Sequence, residues 1–173
     1  MMLHVPSFRD VALAIGSGID PEAIYAARRQ FRQGLGKTLK SELEQVYETN
    51  AVPGPYVPDA ASVGKRALRG AALSLLTLAG GRSAVSRLRD HYKQAANMTE
   101  SMDALEIFGE VEAPARDAVL GSFYKRWKND ALVLDKWFSV QVRSPVHGTA
   151  ELVTALKTHP QFSMKNPNRV RRF

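Results

Sequence analysis

The run Asp59-Ala60-Ala61-Ser62-Val63-Gly64-Lys65-Arg66-Ala67-Leu68-Arg69-Gly70-Ala71-Ala72-Leu73-Ser74-Leu75-Leu76-Thr77-Leu78-Ala79-Gly80-Gly81 decides the fold class. Asp59 offers a carboxylate to the free N–H groups of a helix start. Leu68, Leu73, Leu75, Leu76 and Leu78 follow, and Gly80-Gly81 supply the stop. Only Ser74 and Thr77 interrupt the stretch Ala71 to Ala79. A helix apolar on all sides is sandwiched between other helices. The nine-residue stretch is less than half of a membrane span.

The flanks read the same way. Asn50 to Asp59 contains Pro53, Gly54, Pro55 and Pro58, which exclude a helix interior and mark a connector. Before it, Ser7 and Asp10 form a capping pair for a short helix through Val11 and Ile15, ended by Gly16 and Gly18. Asp20-Pro21-Glu22 is a cap, a proline at the first helical position and an acid near the positive dipole end. Ile24, Ala27 and Phe31 follow at helical spacing. Gly34 and Gly36 are expected to break or kink that segment, which resumes with Leu39, Leu43, Val46 and Tyr47.

Beyond Gly81, Val85, Leu88 and Tyr92 mark a further helix. Asn97-x-x-Glu100 starts another, with Leu105 and Phe108 on one face. Pro114 is expected to open a helix carrying Leu120, Phe123 and Trp127. Val133, Trp137 and Val140 form one stripe after Asn129-Asp130, and Ser144-Pro145 ends it. Leu152, Val153 and Leu156 mark a short helix stopped by His159-Pro160. No sustained apolar–polar alternation bounded by hairpin turns occurs. The expectation is all-α, eight or nine short helices in antiparallel pairs, as a bundle or a HEAT-like solenoid.

The chain has 173 residues, 45% hydrophobic and 24% charged. That suits a globular protein able to bury roughly 70% of its unfolded surface without disulfides or metal. It has no cysteine, which excludes thiol catalysis, Cys-ligated zinc and iron–sulfur clusters. Met1 to Pro6 does not read as a signal peptide. The expected location is the cytoplasm. Net charge is +7. Five basic residues, Lys157, Lys165, Arg169, Arg171 and Arg172, follow the last acid, Glu151. Basicity gathered at one end is weak support for binding nucleic acid over the whole surface.

Candidate chemistry is sparse. Gly34-Leu35-Gly36-Lys37-Thr38 resembles the end of a phosphate-binding loop. That motif needs a glycine where Phe31 stands and a strand before it, so a helix break with Thr38 capping the next segment is expected instead. The four histidines, His4, His91, His147 and His159, show no i, i+4 pair and no H-E-x-x-H. His91, beside Asp90, is expected on an exposed helix face. Trp127, Trp137 and Phe138 are expected in the core, since the two tryptophans fall on the apolar stripes of their helices. Asn166-Pro167 opens a helix of under two turns, Asn168-Arg169-Val170-Arg171-Arg172-Phe173, suggesting a fragment of something longer.

Four blocks occur in order: Lys65-Arg66-x-Leu68-Arg69; Asn97-Met98-Thr99-Glu100-Ser101; Leu134-Asp135-Lys136-Trp137-Phe138-x-x-Gln141-x-x-Ser144-Pro145; and Phe162-x-x-x-Asn166-Pro167-Asn168-Arg169-x-Arg171. From about Pro6 to Phe173 the chain resembles the C-terminal helical domain of bacterial aminopeptidase N, a zinc-dependent gluzincin peptidase. The resemblance implies one helical domain over 1–173, with 50–59 as a connector inside it. It implies helix pairs stacked as a HEAT/ARM-like superhelical solenoid, truncated at its C-terminus. The family's zinc is held by H-E-x-x-H and a further glutamate in an earlier domain. None of that is here, so this chain is expected to hold no catalytic residue, metal or cofactor of its own and not to hydrolyse peptides alone.

The resemblance further implies a cap over the active-site chamber of a larger enzyme that controls substrate access. Arg169 is then expected at the substrate channel, with Asn166, Pro167 and Asn168 building the turn that aims it. Asp135, Lys136, Trp137 and Phe138 are expected to be structural. The implied partners are the remaining domains of a peptidase and its peptide substrates, with no specific nucleic acid and no membrane. The alternative is a free-standing helical module that binds an acidic partner through its basic end.

Overall fold

A computed structural model describes residues 5–146 and 148–171, without the side chains of Arg82 and Asn168. His4, His147, Arg172 and Phe173 therefore lie outside the described residues, and so does the side chain of Asn168. The described residues form ten helices and no strand. These are α1 (Phe8–Ile15), α2 (Pro21–Thr38), α3 (Lys40–Thr49), α4 (Ala60–Ala79) and α5 (Arg82–Gln94). They continue with α6 (Met98–Glu110), α7 (Arg116–Trp127), α8 (Ala131–Val142), α9 (Thr149–Lys157) and α10 (Pro167–Val170). Contacts divide the chain into two compact units, Met1–Leu88 with Ala96–Glu100, and Arg89–Ala95 with Ser101–Phe173.

The first unit is organised by α4. Asp59 caps it through a 2.9 Å bond from the Ser62 N–H, and Gly80 ends it at φ 89°. Hydrogen bonds to Ser62 hold the Asp59 carboxyl below its ordinary pKa. Ala72, Leu73, Leu75, Leu76 and Leu78 are all buried, and α4 packs against both α2 and α3. Each buried leucine contributes about 1.5–3 kcal/mol. Thr77 keeps its hydroxyl satisfied inside this apolar run by donating to the Leu73 carbonyl at 2.7 Å.

The local caps form as their residues dictate. Ser7 and Asp10 make a reciprocal capping box on α1, and Asp20 accepts from the N–H groups of Glu22 and Ala23 on α2. Gly34 and Gly36 do not interrupt α2, which runs unbroken from Pro21 to Thr38. Gly36 serves a different purpose. A methyl group there would overlap the Leu75 carbonyl oxygen and stand 3.0 Å from the Ala79 Cβ. The glycine lets α2 approach the α4 backbone, and tertiary packing outweighs its roughly 1 kcal/mol helix penalty. Thr38 is the last residue of α2 and does not cap α3, whose N-cap is Leu39.

In the second unit α8 packs against α7, α9 and α10. Asp130 caps α8 through the N–H groups of Leu132 and Val133. Leu120, Phe123, Val133, Leu134, Trp137, Phe138, Val140 and Leu156 are buried. Helix α7 starts at Arg116, not at Pro114, because residues 114 and 115 form a turn closed by the Arg116 N–H on the Ala113 carbonyl. Trp127 is only half-buried, whereas Trp137 and Phe138 lie in the core as expected.

Candidate functional site

The four blocks singled out in the sequence meet in pairs, one pair within each unit. In the first unit, Arg69 of α4 reaches Glu100 of α6 at 3.7 Å. Arg69 Nε also donates to the Tyr47 carbonyl at 3.1 Å, and its guanidinium stands 4.4 Å from the Tyr47 ring centroid. Glu100 has a second duty. Its Oε2 accepts from the Ala96 N–H at 3.2 Å and from Asn97 Nδ2 at 3.0 Å, while Asn97 Oδ1 accepts from the Glu100 N–H. The Asn97-x-x-Glu100 spacing thus builds the start of α6 and holds a carboxylate beside Arg69. Nearby, the buried Arg66 donates to the Val57 carbonyl at 2.9 Å and covers the Tyr56 ring.

In the second unit, Asp135 of α8 and Arg169 of α10 form a tighter pair. Arg169 Nε donates to Asp135 Oδ1 at 2.7 Å, with both side chains buried. Arg169 Nη1 donates to the Gln161 carbonyl, and Nη2 to the Ala131 carbonyl at 3.4 Å. The guanidinium lies 5.4 Å from the Phe138 ring centroid. Asn166 Oδ1 accepts from the Arg169 N–H at 3.2 Å, and Pro167 opens α10, so the turn aims Arg169 as its spacing dictates. The direction differs from the expectation of an arginine reaching a channel. Arg169 is 5% exposed and all three guanidinium nitrogens are engaged within the unit.

An aromatic cluster surrounds this pair. Trp137 Nε1 donates to the Leu120 carbonyl at 2.9 Å. Tyr124, Trp137 and Phe138 all stand with ring centroids 5.0–5.5 Å from one another or from the His159 ring. Burial, with a smaller push from the Arg169 charge, holds His159 below its ordinary pKa. The four residues of the Asp135–Phe138 block therefore separate. Asp135, Trp137 and Phe138 face the interior, and Lys136 is exposed beside Glu106 and Arg143.

The remaining candidates resolve differently. His91 is 4% exposed and not on an open helix face, because it lies on the buried side of α5 with Leu88. Gly34 to Thr38 is helical throughout and forms no phosphate loop. Among the described residues no group of three or more His, Asp or Glu side chains is arranged to hold a metal ion. No described helix is long and apolar enough to cross a membrane.

Residues 1–172 match the family described as "Domain of unknown function (DUF3458_C) ARM repeats". The chain is similar to the aminopeptidase N of Caulobacter vibrioides, 36% identical over 171 residues, covering 99% of this chain and 20% of that protein. It is 33% identical over 170 residues to the aminopeptidase N of Escherichia coli strain K12, covering 98% of this chain and 19% of that protein. The chain thus spans about a fifth of the length of these curated relatives. Among solved structures it is similar to Legionella pneumophila aminopeptidase A in complex with aspartic acid. That match has a TM-score of 0.86 at 24% identity, covering 99% of this chain and 21% of the other, and establishes likeness of fold.

Proposed function

This chain belongs to the DUF3458_C ARM-repeat family, and from that premise we propose that it is the non-catalytic helical part of a larger zinc-dependent aminopeptidase, controlling which peptides reach the active site. The observation that carries the reading is near-complete coverage of this chain by aminopeptidase N relatives five times as long. In this reading bond chemistry belongs to other parts of such an enzyme. What this chain supplies is shape and fixed charge. The remaining parts of the peptidase and its peptide substrates are the partners.

The surface of the first unit supports a docked role. Leu13, Ile15, Ile19 and Phe31 are 69%, 51%, 41% and 55% exposed. Leu13 and Ile15 lie on α1, Ile19 in the loop after it and Phe31 on α2, and exposed apolar side chains of this size suit a contact surface. The alternative, an acidic partner bound through the basic end, loses one of its cations, because Arg169 is spent on Asp135.

Within this reading Arg169 is a positioning residue that holds α10 against α8, and substrate access depends on the surface so fixed. The test replaces the aligned region of the Caulobacter aminopeptidase N with this chain. The specificity constant kcat/KM is then measured on an aminoacyl anilide and on a tetrapeptide. The reading expects anilide turnover to persist while the preference between the two substrates shifts. An unchanged preference in an active chimera removes access control and leaves structural support alone. This chain by itself, assayed with added zinc, is expected to release no anilide.

A further inference from the structure

A cleft of the second unit lies between α6 and α8, and neither ion pair described above uses it. It is a cleft of about 360 Å³ lined by Met102, Glu106, Gly109, Glu110, Lys136, Ser139, Val140 and Arg143. That volume falls within the range of small-molecule sites, about 300–1,000 Å³. Helical spacing sorts the lining by charge. Met102, Glu106 and Glu110 recur every four residues on α6, so the two carboxylates stand one above the other on one wall. Lys136, Val140 and Arg143 recur at four and three on α8 and its C-cap, so two cations share the opposite wall.

The floor is tightly built. A methyl group on Gly109 would stand 2.9 Å from Val140 Cγ1 and 3.3 Å from the Val140 carbonyl oxygen. Ser144 Oγ donates to the Gly109 carbonyl at 2.7 Å and accepts from Arg116 Nη2 at 3.2 Å. These contacts fasten the end of α6 to the end of α8. Among the described residues, no side-chain hydrogen bond or ion pair engages Glu106, Lys136 or Arg143. Burial in the wall raises the Glu106 carboxyl above its ordinary pKa. Lys136 and Arg143 pull it down, and Glu110 pushes it up.

A wall of carboxylates facing a wall of cations complements a ligand with one charge of each sign. We propose that the α6–α8 cleft binds a small zwitterion, an amino acid or short peptide with free ends, its ammonium on Glu106 and its carboxylate on Lys136 and Arg143. Pre-set walls reduce the ordering cost of binding. A ligand lacking either charge leaves one wall unanswered, and discrimination of that kind is the mark of paired polar recognition. The site rests on the two helix faces alone and is independent of the access role.

Calorimetric titration of the whole chain with glycine, triglycine, N-acetyl-triglycine and triglycine amide tests this. Saturable binding of triglycine is expected at millimolar concentration. Each blocked peptide is expected to bind about tenfold more weakly, the loss of one charge-assisted hydrogen bond. Glu106→Gln and Lys136→Gln are each expected to weaken triglycine by a similar factor with unchanged far-UV circular dichroism. Glycine binding as tightly as triglycine supports the amino-acid form of the proposal, and weaker glycine binding supports the peptide form. Blocked and free peptides binding alike, neither variant having an effect, or no saturation of any probe would overturn it.

Discussion

The two arginine junctions use the same residue types under different conditions. Arg69 and Glu100 stand 3.7 Å apart with side chains 16% and 9% exposed. Each has other partners, Arg69 the Tyr47 carbonyl and ring, Glu100 the start of α6. Arg169 and Asp135 stand 2.7 Å apart at 6% and 9% exposure. Arg169 has two carbonyls besides, but among the described residues Asp135 has only Arg169. A shared charge and a sole-partner charge respond differently to loss. Removing one member of a buried pair leaves the other charge without compensation, and that cost exceeds the net worth of the intact pair.

Arg169→Ala is therefore expected to produce the largest effect, a destabilisation of about 3–5 kcal/mol. Urea unfolding followed by circular dichroism measures it. A loss under about 1 kcal/mol, as expected of a frayed chain end, would show that the pair is open to water. Asp135→Asn should cost less, because Arg169 keeps two carbonyl acceptors, and the ranking of the two variants tests the sole-partner argument directly.

Trp137→Ala is next, at about 3–5 kcal/mol at most, from the cavity it leaves beside Phe138 and the lost bond to Leu120. Hydrogen exchange should locate the loss in α8. Persistence of full protection there would mean that the ring is peripheral to the unit's packing.

Arg69→Met preserves the apolar stem and removes the charge. Glu100 retains its bonds at the start of α6, so the expected cost is about 1–2 kcal/mol, from one hydrogen bond and one cation–π contact. A cost equal to that of Arg169→Ala would erase the distinction between the two junctions.

The smallest effect is a pH dependence at His159. The folded unit favours neutral imidazole, so the folded pKa lies below the unfolded value of about 6.5. Its stability contribution is complete above that value and is lost as pH falls through it toward the folded pKa, where the unfolded chain binds more protons. His159→Phe should flatten melting temperature against pH between about 7.5 and 5.5. An unchanged slope in the variant would assign the pH dependence to other groups.

Much of the local architecture is legible in the sequence because its causes lie within a few residues. Asp20-Pro21, Asp59, Asn97-x-x-Glu100 and Asn166-Pro167 each start a helix through bonds spanning two to four positions. The leucines of α4 announce a buried helix by composition alone. Gly36 misleads for the opposite reason. Whether a glycine breaks a helix or admits a neighbour depends on what packs against it, here the Leu75 carbonyl. His91 misleads likewise, since its neighbour Asp90 says nothing about which face of α5 is covered.

The sequence alone determined the all-helical class, the apolar stripes and the blocks that carry the family resemblance. Capping and periodicity are short-range and can be read along the chain. Only the tertiary structure decided that Asp135 takes Arg169, 34 residues away, as its partner, and that Lys136, next in the chain, faces a cleft. One residue turns a helix by about 100°, enough to separate a buried carboxylate from an exposed amine. Which of those directions meets a partner is set by long-range packing, and no local pattern records it.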